Sequence, residues 1–175
     1  MNILLIGFMG CGKTSLGKKL AKKVGFEFID LDKIIEQDEQ LSVNDIFNIK
    51  GEDYFRNLET EWLSRFIGED YIVSLGGGSP CFNDNMKTIN SIGTSVYLKM
   101  NSGLLVDRLI DSKQKRPLIE GFKDDKTKLT LEIDKLLKSR EVFYNKANII
   151  FEASNMSSSK LNSLRYDSSL FSSSL

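Results

Sequence analysis

The chain has 175 residues, of which 41% are hydrophobic and 27% charged, with 24 basic and 24 acidic side chains. This length and composition predict one soluble globular domain, and the balanced charge gives no reason to expect a nucleic acid or a membrane surface as partner. The sequence contains no histidine, which excludes Ser-His and Cys-His nucleophilic catalysis and removes the most common zinc ligand. Phosphoryl transfer stays open, because it depends more on positioning and charge neutralisation than on a strong base.

Short apolar runs alternate along the chain with amphipathic stretches of helix length, which is typical of a parallel sheet covered by helices. The predicted strands are residues 2–6, 26–30, 71–75, 95–98 and 148–151. The predicted helices are residues 14–23, 52–66, 83–91, 102–110 and 126–143. A further helix is predicted to start at Ser42, whose side chain can cap the backbone N–H of Asp45, and Gly25 is predicted to end the first helix.

Two segments differ in character from these elements. Residues 111–125 are polar and contain Pro117 and Gly121, so we expect a mobile surface loop there. Residues 154–175 are rich in serine and form a C-terminal tail that we expect to be poorly ordered.

The cysteines and the first apolar run indicate in which compartment of the cell the protein is found. Cys11 and Cys81 have neither the spacing of a metal site nor that of a disulfide framework, so we expect two reduced thiols. Residues 3–6 are too short a run for a signal peptide, and no run approaches the length of a membrane span. We therefore expect a cytoplasmic protein without a membrane partner.

A phosphate-binding motif follows the first predicted strand. Residues 7–14, GFMGCGKT, match G-x-x-x-x-G-K-[ST] at every fixed position, between a strand and a helix. Its glycines allow backbone N–H groups to surround phosphate oxygens, Lys13 brings a positive charge, and the hydroxyl of Thr14 can bind Mg²⁺. The residues predicted to bind nucleotide here are Gly10, Cys11, Gly12, Lys13, Thr14 and Ser15. The motif predicts a nucleotide site but does not separate a kinase from a GTPase or an ATPase.

Two acids stand where the second parallel strand should end, and ligands of open α/β sheets bind at that edge. Alternation in an extended segment would put Asp30 and Asp32 on the same side. One carboxylate can then hold Mg²⁺, and the other can accept the proton of an attacking hydroxyl. A solvated turn or a helix cap explains the pair about equally well.

Three more features point to a ligand only weakly when each is taken alone. Arg56 and Glu59 are i,i+3 neighbours, either a surface ion pair or a guanidinium held ready for a substrate carboxylate. Residues 76–78 are glycines after a predicted strand, and they allow either a close backbone approach to a ligand or a flexible turn. Arg116, in the polar loop, can reach a transferring phosphate if that loop closes, or can simply be solvated.

Taken together and in order, these segments resemble the shikimate kinase family. The matching segments are GFMGCGKT, FIDLD, FRNLE, SLGGG, KRPL and SREVFY, and the resemblance covers residues 2–151. It implies transfer of the γ-phosphate of ATP to the 3-hydroxyl of shikimate, giving shikimate 3-phosphate and ADP in aromatic amino acid biosynthesis. It also implies a monomer and a three-layer α/β/α fold whose five-stranded parallel sheet has the order 2-3-1-4-5. A kinase domain would span residues 1–153, with a substrate-binding helical region at 33–66 and a mobile lid at 111–123.

The resemblance also implies residue roles. Asp30 would lie near the metal, and Asp32 would bind the substrate hydroxyls and act as the base. Arg116 would be the lid arginine, catalytic together with Lys13 and Asp32, and Arg108 would lie along the adenine. The residues implied to hold the substrate carboxylate and ring are Arg56, Gly76, Gly77, Gly78 and Arg140.

Cys11 departs from the small residue common at its position in the family. A thiol beside the phosphate-binding amides can have a lowered pKa, so we expect ATP to protect Cys11 from alkylation.

Two other functions remain as alternatives. One is another small-molecule kinase with a P-loop, of the gluconate or nucleotide type; Arg56 and Arg140 together favour a substrate with a carboxylate instead. The other is a regulatory nucleotide-binding module without transfer activity, and the substrate-side acids Asp30 and Asp32 argue against it.

Overall fold

The computed structural model describes residues 1–66, 68, 70–112 and 116–153. The strands are β1 Asn2–Ile6, β2 Glu27–Asp30, β3 Tyr71–Ser74, β4 Gly93–Lys99 and β5 Ile149–Glu152. The α-helices are α1 Lys13–Val24, α2 Leu31–Glu39, α3 Val43–Lys50, α4 Glu52–Leu63, α5 Asn85–Ile92, α6 Ser102–Ile110 and α7 Lys126–Tyr144. Two 3₁₀ turns cover Ser79–Cys81 and Glu120–Phe122.

The strands form one five-stranded parallel sheet in the order β2-β3-β1-β4-β5, which confirms the predicted topology. The central strand β1 pairs Leu4 with Val73 on one side and with Ser95 on the other. Every residue of β1 is buried, because helices cover both faces of the sheet. Its sequence, NILLI, is therefore a nearly continuous apolar run rather than an alternating one.

Capping residues end and begin two helices as predicted. Gly25 follows α1 with a φ of 79°, and its N–H donates to the carbonyl of Ala21. Before α3, the hydroxyl of Ser42 accepts a hydrogen bond of 3.1 Å from the N–H of Asp45.

The apolar pattern did not predict helix α2, although the family resemblance implied a helical region from residue 33 onward. Its start at Leu31 makes the expected extended segment at Asp30 and Asp32 wrong. The strand ends at Asp30, and Asp32 lies in the first turn of the helix. Leu31 and Ile35, one helical turn apart, are both fully buried, and a helix is the conformation that puts both on one face.

Two other helix boundaries differ from the prediction by two residues or more. Helix α4 ends at Leu63 rather than at residue 66. Helix α5 begins at Asn85, because Asn83 and Asp84 before it have φ values of 49° and 55°, which a right-handed helix does not allow.

The segment predicted as a polar loop is in part anchored to the domain. Ile119 is fully buried, and the 3₁₀ turn Glu120–Phe122 follows it. Residues 113–115 of the predicted lid and the predicted tail, residues 154–175, lie outside the described residues. Over the described ranges, no helix combines the length and the apolar character needed to cross a membrane.

Candidate active site

A cavity of about 910 Å³ opens where β1, β2 and β3 end, at the carboxyl edge of the sheet. Its walls come from the loop after β1, from helices α2, α3, α4 and α7, and from the glycines after β3. Most residues predicted for the site line it: Gly10, Gly12, Lys13, Thr14, Ser15, Asp30, Asp32, Arg56, Gly76, Gly77, Gly78, Arg116 and Arg140. Cys11 and Arg108, which were also predicted, are not among the lining residues.

The loop after β1 curls around the ammonium group of Lys13. Gly10 and Gly12 have φ values of 82° and 100°, in the left-handed region where glycine is least strained. Nζ of Lys13 donates to the carbonyl oxygens of Gly7 at 2.8 Å and Phe8 at 3.0 Å. Helix α1 begins at Lys13, so the positive end of its dipole faces the cavity. This half of the cavity suits a phosphate chain.

Thr14 and Asp30 bring two oxygen atoms together at the edge of the same loop. The hydroxyl of Thr14 donates to Oδ2 of Asp30 at 2.8 Å. Magnesium prefers such hard oxygen donors and usually takes only one or two carboxylates, with phosphate and water completing its shell. The described residues contain no group of three or more His, Cys, Asp or Glu that could hold a metal alone. The Thr14–Asp30 pair therefore fits a magnesium ion that arrives with a nucleotide.

The carboxyl group of Asp32 is buried between the two halves of the cavity. Its pKa is raised to about 7, mainly by burial and also by the charges of Glu59 and Asp30, while Lys13 and Arg56 partly offset these effects. Oδ1 of Asp32 is buried and has no hydrogen-bond partner among the described residues. A carboxyl with a pKa near neutrality and an unpaired oxygen can accept a proton from a hydroxyl group that enters the cavity.

Arg56 is buried rather than on the surface, so the exposed ion pair considered from the sequence is wrong. Its side chain is 6% exposed and its NH1 donates to Oε2 of Glu59 at 2.7 Å. Oε1 of Glu52 accepts from Nε at 3.1 Å and from NH2 at 2.7 Å. The ring centroid of Phe82 lies 4.5 Å from Cζ, so carboxylates and an aromatic ring together fix the guanidinium.

The glycines after β3 give the buried charges room to pack. A Cβ atom at Gly76 would lie 2.5 Å from Oε1 of Glu59 and 2.9 Å from Oδ1 of Asp32. A Cβ atom at Gly78 would lie 2.5 Å from NH2 of Arg56. Both glycines are therefore needed for close packing against the protein's own charged side chains, which a merely flexible turn does not account for, and the close approach to a ligand stays a prediction.

Two residues that hold Glu59 and the glycine segment in place were not predicted from the sequence. The hydroxyl of Ser79 donates to Oε1 of Glu59, and the hydroxyl of Tyr144 donates to the carbonyl of Gly77. Burial raises the pKa of Glu59, and the contacts with Arg56 and Ser79 partly offset this rise. The spacing of Tyr144, four residues after Arg140 on α7, was a signal that sequence reasoning could have used.

Arg140 reaches the cavity from α7 and is almost fully buried. Its Cζ lies 5.6 Å from the centroid of the Phe8 ring, and its buried NH1 has no hydrogen-bond partner among the described residues. With Arg56, it places a second positive charge in the part of the cavity that the glycines after β3 border. Two guanidinium groups there suit an anionic group on a small molecule.

The remaining arginines take different positions. Arg116 lines the cavity, and its NH1 donates to the hydroxyl of Ser112 at 2.8 Å. Arg108 is outside the cavity lining, where its NH1 donates to the carbonyl of Gly10 at 3.2 Å.

The structure contradicts the placement predicted for the thiol of Cys11, beside the phosphate-binding amides. The residue is 0% exposed, and its Sγ lies 3.9 Å from Nζ of Lys13 on the core side of the loop. The side chain points inward because the loop turns its backbone towards the cavity.

A family model described as "Shikimate kinase" matches residues 9–166 of this chain. The chain belongs to the shikimate kinase family. The shikimate kinase of Azobacteroides pseudotrichonymphae genomovar. CFP2 is 45% identical over 151 residues, which cover 85% of this chain and 88% of that one. The shikimate kinase of Bacteroides fragilis (strain YCH46) is 44% identical over 153 residues, 86% of this chain and 84% of that one.

Solved structures agree with the family assignment. The crystal structure of a shikimate kinase from Bacteroides thetaiotaomicron matches with a TM-score of 0.87 and 36% identity, covering 98% of each chain. A shikimate kinase from Acinetobacter baumannii, in complex with shikimate, matches with a TM-score of 0.84 and 29% identity, covering 99% of this chain and 94% of that one. The predicted family is therefore confirmed, and this chain is an ATP-dependent kinase rather than a regulatory module.

Proposed function

We propose that this enzyme transfers the γ-phosphate of ATP to the 3-hydroxyl of shikimate, with Mg²⁺ as cofactor, and releases shikimate 3-phosphate and ADP. One observation carries the proposal. A single cavity joins a phosphate-binding loop to a pocket with two buried guanidinium groups, and a carboxyl with a raised pKa lies between them. Shikimate offers a carboxylate for the arginines and hydroxyl groups for the carboxyl.

On the donor side, Lys13 and the backbone N–H groups of residues 10–15 bind the phosphate chain. The ammonium of Lys13 already lies inside the loop and can exchange its contacts with Gly7 and Phe8 for phosphate oxygens. Thr14 and Asp30 would hold the magnesium ion, which neutralises phosphate charge when bound. Arg108 would lie along the adenine, a role that its contact with Gly10 makes reachable.

On the acceptor side, Arg56 and Arg140 bind the substrate carboxylate, with backbone N–H groups at Gly77 and Gly78 as further donors. Oδ1 of Asp32 accepts a hydrogen bond from the reacting hydroxyl and then takes its proton, while the oxygen forms a bond to the γ-phosphorus. The bond from that phosphorus to the bridging oxygen breaks, and ADP leaves with the electron pair. Arg116 stabilises the negative charge of the transferring group from the lid.

The enzyme would act as a cytoplasmic monomer with no nucleic acid or membrane partner. Both halves of the cavity come from one chain, and the chain has no net charge. Light scattering after size-exclusion chromatography tests the monomer, which a mass near twice 19.8 kDa would contradict.

A coupled assay of ADP release tests the activity itself. Purified enzyme with ATP and Mg²⁺ should release ADP when shikimate is added, and omission of Mg²⁺ should abolish turnover. Gluconate and deoxyadenosine serve as alternative acceptors, because they represent the other kinase types that the phosphate loop allows. Turnover with either of them but none with shikimate would reject the proposal.

A further inference from the structure

The hydroxyl of Tyr144 is buried beside the site, and the steps above do not use it. Tyr144 is the last residue of α7, is fully buried, and donates a hydrogen bond to the carbonyl of Gly77. Its ring lies 5.0 Å from the ring of Tyr97, which fixes the plane of the phenol. Burial raises the pKa of Tyr144 well above its usual range, so the hydroxyl stays protonated and remains a donor.

The same helix face carries Arg140, one turn earlier. The positive charge of Arg140 lowers the pKa of Tyr144 and partly offsets the effect of burial, which reflects the closeness of the guanidinium to the phenol. One turn of α7 therefore supplies a cation to the pocket and also donates a hydrogen bond to the backbone of the glycine segment.

Because of peptide geometry, the hydrogen bond to Gly77 also constrains the backbone of Gly78. The described chain has no cis peptide bond, so the carbonyl of Gly77 and the N–H of Gly78 point in opposite directions across one plane. Glycines on both sides would otherwise let that plane rotate freely. The backbone of Gly78 also packs against the guanidinium of Arg56. Fixing the carbonyl of Gly77 thus fixes the direction of the Gly78 N–H and the backbone that faces Arg56.

We infer that Tyr144 is a positioning residue for the acceptor carboxylate. Its hydrogen bond to Gly77 sets how far Arg140 lies from the Gly78 N–H and from Arg56, so that one carboxylate can meet all three. The hydroxyl of Tyr144 donates to a backbone carbonyl, so Tyr144 would act through the glycine segment rather than on a reacting atom. The inference rests on the proposed function, because shikimate supplies the carboxylate.

The variant Tyr144→Phe removes the hydroxyl and keeps the ring. The KM for shikimate should rise about three- to tenfold, the size expected for one intramolecular hydrogen bond, while kcat and the KM for ATP change by less than about twofold. Tyr97→Phe is the matched control, since it removes the equivalent hydroxyl from the neighbouring ring, which donates to Oε1 of Glu141 at 3.3 Å. The control should leave both KM values within about twofold of wild type.

A second measurement separates positioning from general stabilisation. Calorimetry compares the binding of shikimate with that of an analogue whose carboxylate is replaced by a hydroxymethyl group. Tyr144→Phe should weaken the binding of shikimate about three- to tenfold and that of the analogue by less than about twofold. An equal loss for both compounds, an equal rise in both KM values, or an unchanged KM for shikimate would each overturn the role of Tyr144.

The two proposals fail in different ways. Absence of shikimate-dependent ADP release by wild-type enzyme would overturn the proposed function. Normal turnover by wild-type enzyme with an unaffected Tyr144→Phe variant would overturn only the inference about Tyr144.

Discussion

The two halves of the cavity are built in different ways. Most of the donor half is the phosphate loop, one short segment at residues 7–15 between β1 and the first turn of α1, to which Asp30 and Arg116 add single side chains. It presents mainly backbone groups and one lysine. The acceptor half comes from four distant parts of the chain: Asp32 on α2, Arg56 on α4, the glycines after β3, and Arg140 on α7. It presents charged side chains, and its two cations, Arg56 and Arg140, are almost fully buried.

The two halves therefore depend on the rest of the fold to different degrees. A strand, a turn with left-handed glycines and a helix start suffice for the phosphate loop. The acceptor half needs the whole sheet to bring its parts together, and it keeps carboxylates and guanidinium groups out of water, which lowers the stability of the folded state unless every charge is paired. We therefore expect changes in the acceptor half to alter stability and acceptor binding, with little effect on nucleotide binding.

The largest effect is expected from Asp32→Asn, which removes the proposed base. Turnover should fall about 10²- to 10⁴-fold, because an amide cannot take the proton of the acceptor hydroxyl. The KM for ATP should change by less than about threefold, since Asp32 belongs to the acceptor half. Steady-state kinetics with both substrates varied measures the two effects together. A variant that loses ATP binding but keeps its turnover would show that the two halves cannot be separated in this way.

The same variant should show how buried charge affects stability. The ordinary pKa of an aspartate is 3.8, and that of Asp32 is raised to about 7 in the folded protein. Between these values the unfolded chain has lost the proton that the folded chain keeps, so stability falls as the pH rises from about 4 to about 7 and then stays level. The loss is at most about 4 kcal/mol at 1.4 kcal/mol per pH unit.

Asp32→Asn carries no titrating group at this position, so it should be more stable than the wild type at pH 8. Its advantage should shrink towards pH 4.5. Urea unfolding of both proteins without nucleotide, at pH 4.5, 6 and 8, measures the difference. A variant less stable than wild type at pH 8 would contradict the assigned cause of the raised pKa.

A smaller effect is expected at Gly78, where a methyl group would meet the guanidinium of Arg56. Gly78→Ala should raise the KM for shikimate about tenfold or more and leave the KM for ATP nearly unchanged, because the displaced guanidinium belongs to the acceptor half only. Gly121→Ala is the matched control, since a Cβ there has nothing within 4 Å and the backbone φ is not positive. Equal effects of the two substitutions would mean that crowding at Arg56 does not matter.

Sequence reasoning was more complete for the donor half because its information is local. The spacing of glycines, Lys13 and Thr14 specifies a conformation within eight residues. The acceptor residues were recognised mainly by family resemblance, since nothing near Arg56 in the sequence indicates that Glu59 would be fully buried with it. Helix α2 was missed because Asp30-Leu31-Asp32 alternates like a strand, and only the burial of Leu31 and Ile35 against the core decides for a helix.

One cysteine lies next to each half of the cavity, and the smallest effects are expected from their reactivity, which burial should determine. Cys11 is 0% exposed in the donor half, so alkylation of the native enzyme should not reach it, with or without ATP. Burial raises the pKa of Cys81, beside the acceptor half, from 9.0 to about 11. This lowers its thiolate fraction about a hundredfold, and its labelling should be correspondingly slow.

Mass spectrometry of peptides after timed exposure to iodoacetamide at pH 8 measures both rates. The earlier expectation that ATP protects Cys11 requires a thiol that faces the phosphates, and the inward side chain leaves nothing for the nucleotide to shield. Rapid labelling of Cys11 that ATP suppresses would mean that the phosphate loop opens in solution. In that case the local sequence would not be enough to hold the phosphate loop closed, and the donor half, like the acceptor half, would depend on the rest of the fold.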